Sequence, residues 1–156
     1  MTGRTITSLN DYFEDFAVGD RFVTAGRTIT QEDINRYTDL SGDAHPLHTS
    51  PEDAAHSIFG RITAQGALTL SLVTGLEFAM TGSEERGLLV FSGMDRVRFL
   101  KPVFVDDTIH LVGTVASLDD RGDRGLVVFD HEVRNDREEI VAVYGKRMFY
   151  RKRPSA

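Results

Sequence analysis

Hydrophobic positions change their spacing once along this chain. In the first half Ile34, Tyr37 and Leu40 recur at helical intervals behind Thr30 and Asp33, a pair with capping-box spacing, and that helix is expected to stop near Ser41-Gly42. Before it, Asp20 to Thr28 (DRFVTAGRT) reads as a first strand. Ser50, Pro51, Glu52 and Asp53 supply an N-cap, a proline at the first helical position and acids in the first turn, starting a short helix through His56. From Ala67 to about Met80 the chain is apolar on nearly every side, so that helix needs other structure wrapped around it.

Beyond residue 87 the period becomes two. The runs 88–100, 108–118, 125–134 and 139–151 are β-rich and are separated by turns at Lys101-Pro102, Asp119 to Gly122 and Asn135-Asp136. Ile109, Leu111 and Val115 share one strand face, and Val97 and Phe99 alternate with Arg96 and Arg98 on another. One face is core and the other is wet. A long antiparallel sheet curled round the apolar helix, an α+β arrangement, is the economical packing.

Length fits this plan, since 156 residues suffice for one domain with a real core. The core is expected over about residues 16–150, with the first ten or so residues and RKRPSA at the end as solvated, flexible tails. A net charge of -6 argues against nucleic acid or an anionic membrane as partner. The absence of cysteine removes disulfides, thiolate nucleophiles and Cys-ligated metals. The N-terminus has no apolar h-region, and the 67–80 run falls short of the roughly 20 residues a bilayer-spanning helix needs. A cytoplasmic protein is the expectation.

Chemistry concentrates in SGDAHPLHTS, residues 41–50, which holds Asp43 and two of the five histidines, His45 and His48. Pro46 fixes one φ and biases His45 towards an extended backbone, so a stiff loop between two helices can aim Asp43 and His48 at one point. A carboxylate and an imidazole there can hold a water and move its protons near neutral pH without metal or cofactor. Three ligands for a metal, Asp43, His45 and His48, are the rival reading of the same run. Gly66 stands where the buried helix begins; its N–H is an orphan helix donor and its missing Cβ lets a carbonyl oxygen approach. Close helix–sheet packing would also call for a glycine there. Arg61, Arg96, Arg98 and Lys101 are candidates for phosphates, and Leu68, Leu72, Val73 and Leu76 for contact with an acyl chain, although both sets also suit a solvated strand face and a core.

Three segments, DAHPLH at 43–48, AQGALT at 64–69 and FLKPVFVDDTI at 99–109, resemble in order and spacing the MaoC-like hydratase family, which includes the (R)-specific enoyl-CoA hydratases. The resemblance runs from about Phe16 to Tyr150. It implies a hot-dog fold, with the catalytic pair on a segment inserted before the central helix and dimers made by joining two sheets. Carried over by position, Asp43 and His48 are the catalytic pair and the Gly66 amide polarises a thioester carbonyl; His45, Ala64 and Gln65, with Arg98 and Lys101 from the phosphate candidates, are expected at the substrate. The implied partners are an acyl thioester of CoA or acyl carrier protein and a second copy of the chain. The implied reaction is reversible hydration of an enoyl thioester, with no cofactor and no metal. A thioesterase, or a non-catalytic acyl-binding subunit, are the alternatives. Two residues depart from the family pattern D-x-N-P-x-H and A-H-G: His45 stands for the asparagine and Gln65 for the histidine.

Overall fold

The computed structural model describes residues 3–84 and 86–155. Its elements are β1 (Arg21–Val23), β2 (Arg27–Thr28), α1 (Gln31–Ser41), α2 (Pro46–Thr49), α3 (Pro51–Ala55), α4 (Gly66–Phe78), β3 (Leu88–Phe99), β4 (Thr108–Asp120), β5 (Arg124–Asn135) and β6 (Ile140–Arg151). One antiparallel sheet runs in the order β1-β4-β5-β6-β3, with β2 also paired to β4. It curls round α4, the plan expected from the change of period and from the hot-dog resemblance. The alternation that predicts β4 and β5 holds in detail. Ile109, Leu111 and Val115 are buried and lie opposite Asn135, Val133 and Phe129 of β5. Together with Leu68 and Val73 of α4 they form the core.

Helix α1 begins where the capping box predicts. Asp33 N–H donates to the Thr30 hydroxyl at 3.1 Å and Thr30 N–H donates back to the Asp33 carboxylate at 3.0 Å. It ends at Gly42, whose φ of 77° no β-carbon would favour and whose N–H donates to Thr38 O at 2.8 Å. Ile34 is the helix's buried anchor.

Four expectations need correction. The run from Asp20 to Thr28 is two short strands rather than one: at Thr24 the backbone N–H still donates to Leu111 O at 2.9 Å, but Leu111 N–H donates to the Thr24 hydroxyl at 3.0 Å instead of a backbone carbonyl. The N-terminal segment from residue 3 onward is packed rather than solvated: Thr5 bridges to Arg21, and Ile6 and Leu9 are buried in the core. At the other end Lys152 pairs with Asp120 at 2.7 Å, and Arg153 reaches Asp15 and Glu14. Residues 1, 2 and 156 of the expected tails lie outside the described residues.

Helix α4 is not enclosed on all sides, since Ala67, Ser71, Gly75 and Phe78, spaced at helical intervals, form an exposed stripe. On the last part of β3, Val97 packs against the core between exposed Arg96 and Arg98 as the alternation predicts, but Phe99 does not follow it. β3 slips register against β6 at three places, one of them between Asp95 and Arg98; Arg96 there has a φ of 54°, and Phe99 is left exposed.

Candidate active site

The loop after α1 is held by its backbone. Asp43 N–H donates to the Ser41 hydroxyl at 3.1 Å, and Ala44 N–H donates to Gly42 O at 2.9 Å. The Asp43 carbonyl accepts from the Thr38 hydroxyl at 3.2 Å and from Gln65 Nε2 at 3.4 Å. His48 does not stay in the loop, as the spacing suggested; Pro46 starts the one-turn helix α2, and His48 lies within it. His45 is that helix's N-cap, its Nδ1 accepting from Leu47 N–H at 3.2 Å. An imidazole nitrogen thus takes the place a capping asparagine oxygen would fill, which accounts locally for the replacement of the family residue.

His48 is fixed by a second element. Its Nδ1 lies 2.6 Å from Thr63 O, and a carbonyl can only accept, so Nδ1 carries the proton and a neutral ring presents Nε2 as a lone pair. Thr63 is anchored in turn, donating through N–H to Leu47 O at 3.1 Å and bridging to Phe104; Ala64 N–H donates to Val103 O at 2.8 Å. Sequence reasoning missed Thr63 because a backbone acceptor carries no side-chain signature.

His48, Ala64, Gly66 and Lys101 line one cavity of about 460 Å³. Its walls are otherwise apolar, including Leu47, Phe59, Phe99, Val103 and Ala142, with Thr69 from α4. That is the form of a small-molecule site with a few polar groups. Gly66 begins α4, so its N–H has no acceptor in the helix's own ladder. A β-carbon there would lie 2.6–2.9 Å from the Phe99 ring, so the glycine lets an aromatic ring rest against the first turn of α4, the packing reading of this position.

The other candidates stand apart from this cavity. Asp43 and His45 are exposed and do not line it, and the Asp43 carboxyl has no hydrogen-bond or ionic partner among the described residues. Gln65 is buried, with Nε2 donating to the Thr38 hydroxyl at 2.9 Å. Arg98 turns back to Val97 O at 2.8 Å, Arg96 pairs with Asp130 at 3.1 Å, and Arg61 stacks 3.9 Å over the Phe104 ring. Lys101 pairs with Glu139, whose carboxyl is held down to about 2 by hydrogen bonds from Lys101, Asn135 and Arg137. Leu68 and Val73 are core, and Leu72 and Leu76 pack against it. No group of three or more metal-ligating side chains occurs among the described residues, and none of their helices is long and apolar enough to cross a membrane.

A second polar cluster lies at the far end of α4. Glu77 pairs with Lys146 of β6, and His131 Nε2 of β5 lies 3.5 Å from the other carboxylate oxygen; Tyr144 stacks edge-on against His131 with ring centroids 4.7 Å apart. All four residues are buried. Burial pushes the Glu77 carboxyl up despite Lys146, drives His131 down to about 3 and raises the Tyr144 phenol.

A curled antiparallel sheet around one helix, with a histidine-bearing insertion at that helix's N-terminus, defines a hot-dog protein. The family described as MaoC like domain matches residues 15–136, and the chain belongs to it. Over 95 residues it is 35% identical to 3-hydroxyacyl-thioester dehydratase Z of Mycobacterium tuberculosis, covering 61% of this chain and 63% of that protein. It is 29% identical over 107 residues to 3-hydroxybutyryl-CoA dehydratase of Methylorubrum extorquens, covering 69% and 65%. The aligned part therefore spans somewhat under two thirds of these relatives' length. Among solved structures, the monoamine oxidase regulatory protein of Archaeoglobus superposes with a TM-score of 0.87 at 34% identity, over 99% of this chain and 100% of that one. The MaoC-like dehydratase of Rhodospirillum rubrum gives 0.82 at 27%, over 92% and 99%.

Proposed function

We propose that this chain is a hydro-lyase that adds water reversibly across the 2,3-double bond of an enoyl thioester, giving the (R)-3-hydroxyacyl product. The observation that carries the reading is the His48 ring, locked by Thr63 O with Nε2 available, on the same apolar cavity as the first amide of α4. In the forward direction His48 holds one water at the cavity, and Asp43, exposed on the loop before α2, is the second group brought to that water. The water oxygen bonds to C3, the π pair shifts to form an enolate whose oxygen takes the Gly66 N–H, and a proton returned through the pair reaches C2. Either member can be the base, since two coupled groups on one water share the proton work. No cofactor enters this scheme.

The substrate is an acyl thioester of CoA or of an acyl carrier protein, with Lys101 at the cavity as the cation nearest its path. We further propose a homodimer formed through β3, an edge strand with Leu89, Val90 and Phe91 exposed on it. Cytoplasmic residence is part of the same proposal.

Loss of the conjugated enoyl absorbance, followed with short, medium and branched enoyl-CoA, tests the reading, and chiral analysis of the product tests the (R) outcome. Asp43→Asn and His48→Ala are expected to lower turnover by on the order of 10²-fold or more while staying folded. Equal turnover by wild type and the double variant would falsify the assignment. The exposure of Asp43 favours one second reading, a subunit that binds acyl thioesters without converting them. Substrate binding with the double bond left intact would establish it, and release of free thiol would instead indicate a thioesterase.

A further inference from the structure

Gln65 belongs to the segment that lines the cavity, yet it turns away from it: its neighbours Ala64 and Gly66 line the space and it does not. Its side chain is 1% exposed, and Nε2 divides its hydrogens between the Thr38 hydroxyl at 2.9 Å and the Asp43 carbonyl at 3.4 Å. Thr38 closes the ring by donating to the same carbonyl at 3.2 Å. The amide orientation follows from this pattern, because turning it over would set Oε1 against the Asp43 carbonyl, two acceptors facing each other. In the observed orientation Oε1 is buried and has no hydrogen-bond partner among the described residues. A methionine of similar volume would fill the same place and remove both Nε2 hydrogen bonds.

We propose that Gln65, with Thr38, is a positioning residue for Asp43. Three elements meet at the Asp43 carbonyl: the last turn of α1, the loop it leads into, and the residue capping α4. Tying them together makes the carboxyl-bearing backbone and the Gly66 amide one rigid body, so the group that handles the water keeps its distance from the donor that receives the enolate oxygen. This deepens the hydration reading and rests on it.

The test is Gln65→Met in the full-length protein, compared with wild type, Asp43→Asn and the double variant. Thermal stability is expected to be unchanged or higher. kcat for enoyl-CoA hydration should fall by about 10- to 100-fold, the scale of a misplaced catalytic group, with KM within about threefold. The double variant should be no slower than Asp43→Asn alone, because the lock has nothing left to position. Gln65→His, which keeps a donor, should recover part of the lost kcat. A lower melting temperature with kcat intact, or losses that multiply in the double variant, would overturn the proposal. A crystal structure of Gln65→Met reads the lock independently of turnover: displacement of residues 42–45 supports it and an unmoved loop refutes it. A wild type without hydratase activity would sink the hydration reading, leaving the structural comparison to decide the lock.

Discussion

The sharpest stability prediction concerns the buried pair Glu77–Lys146. Both side chains are 2% exposed, Lys146 Nζ also lies 4.7 Å above the Phe91 ring, and the surroundings are His131, Tyr144 and the apolar core. Glu77 gains nothing from its helix, since a carboxylate in the last turn faces the negative end of the macrodipole. Its partner therefore carries the compensation. Glu77→Leu strands an ammonium in the core and is expected to cost about 3–5 kcal/mol, the usual penalty for breaking a buried pair from one side. For a domain of this size that lowers Tm by roughly 6–20 °C. Lys146→Met should cost less below neutral pH, because the Glu77 carboxyl is already pushed up and can shed its charge by binding a proton. The double variant Glu77→Leu/Lys146→Met should return to within about 1 kcal/mol of wild type or exceed it. Urea denaturation of the four proteins at two pH values reads all of this. Single-variant losses below about 1 kcal/mol, or a double variant as poor as the sum of the singles, would show that water reaches the pair and that the burial argument is mistaken.

His131 is neutral in the fold, with its pKa depressed to about 3, whereas the unfolded ring takes up a proton below about 6.5. Acidification from pH 7 towards 3 therefore costs stability through this residue, and His131→Phe, measured by thermal melts across that range, should flatten the slope. Raised Glu77 acts in the opposite sense, its folded form gaining a proton more readily as pH falls, so the His131 effect is best read as the difference between the two proteins. Gly66→Ala puts a β-carbon into the Phe99 ring, which is half exposed and can swing aside. The fold should survive with a loss under about 1 kcal/mol while the cavity is remodelled and turnover falls; unchanged kinetics would show that the substrate does not approach across the Gly66 α-carbon. Thr30→Ala removes half of the α1 capping box and should cost about 1 kcal/mol by chemical denaturation, without altering turnover.

What was legible in the sequence follows from the range of the forces involved. Caps, prolines and period-two alternation act over a few residues, so α1, α3 and the long strands β4, β5 and β6 could be read from the chain alone. The start of α4 at Gly66 was legible from the AQG segment, whereas Pro46 reads as stiffening a loop and the one-turn helix it starts was not foreseen. Partners set by tertiary packing were not legible either. Thr63 acts through its backbone and Thr38 is one threonine among many; neither differs from its neighbours until α1, α2 and α4 are packed. The exposed stripe of α4 escaped for the opposite reason, since alanine, serine and glycine look compatible with a buried helix and only the course of the sheet decides which side is covered. β3 misled because its residues alternate on paper while its register slips against β6 turn them out of phase.

The two ends of α4 make complementary demands on the fold. Along an apolar groove a helix can shift by a turn and keep most of its contact area, because burial is not directional. Gly66 and Glu77 are eleven residues apart, roughly 16 Å along the axis, so such a slip would carry Gly66 away from the cavity it shares with His48. Glu77 can meet Lys146 in only one axial register, which makes the ion pair a poor contributor to stability and a good selector of position. If that is its use, Glu77→Leu/Lys146→Met will fold as firmly as wild type yet show exchange broadening in the amides of α4 and weaker turnover. A double variant with sharp α4 resonances and full activity would mean that packing around Leu68 and Val73 already fixes the register, and that the buried charges serve some other end.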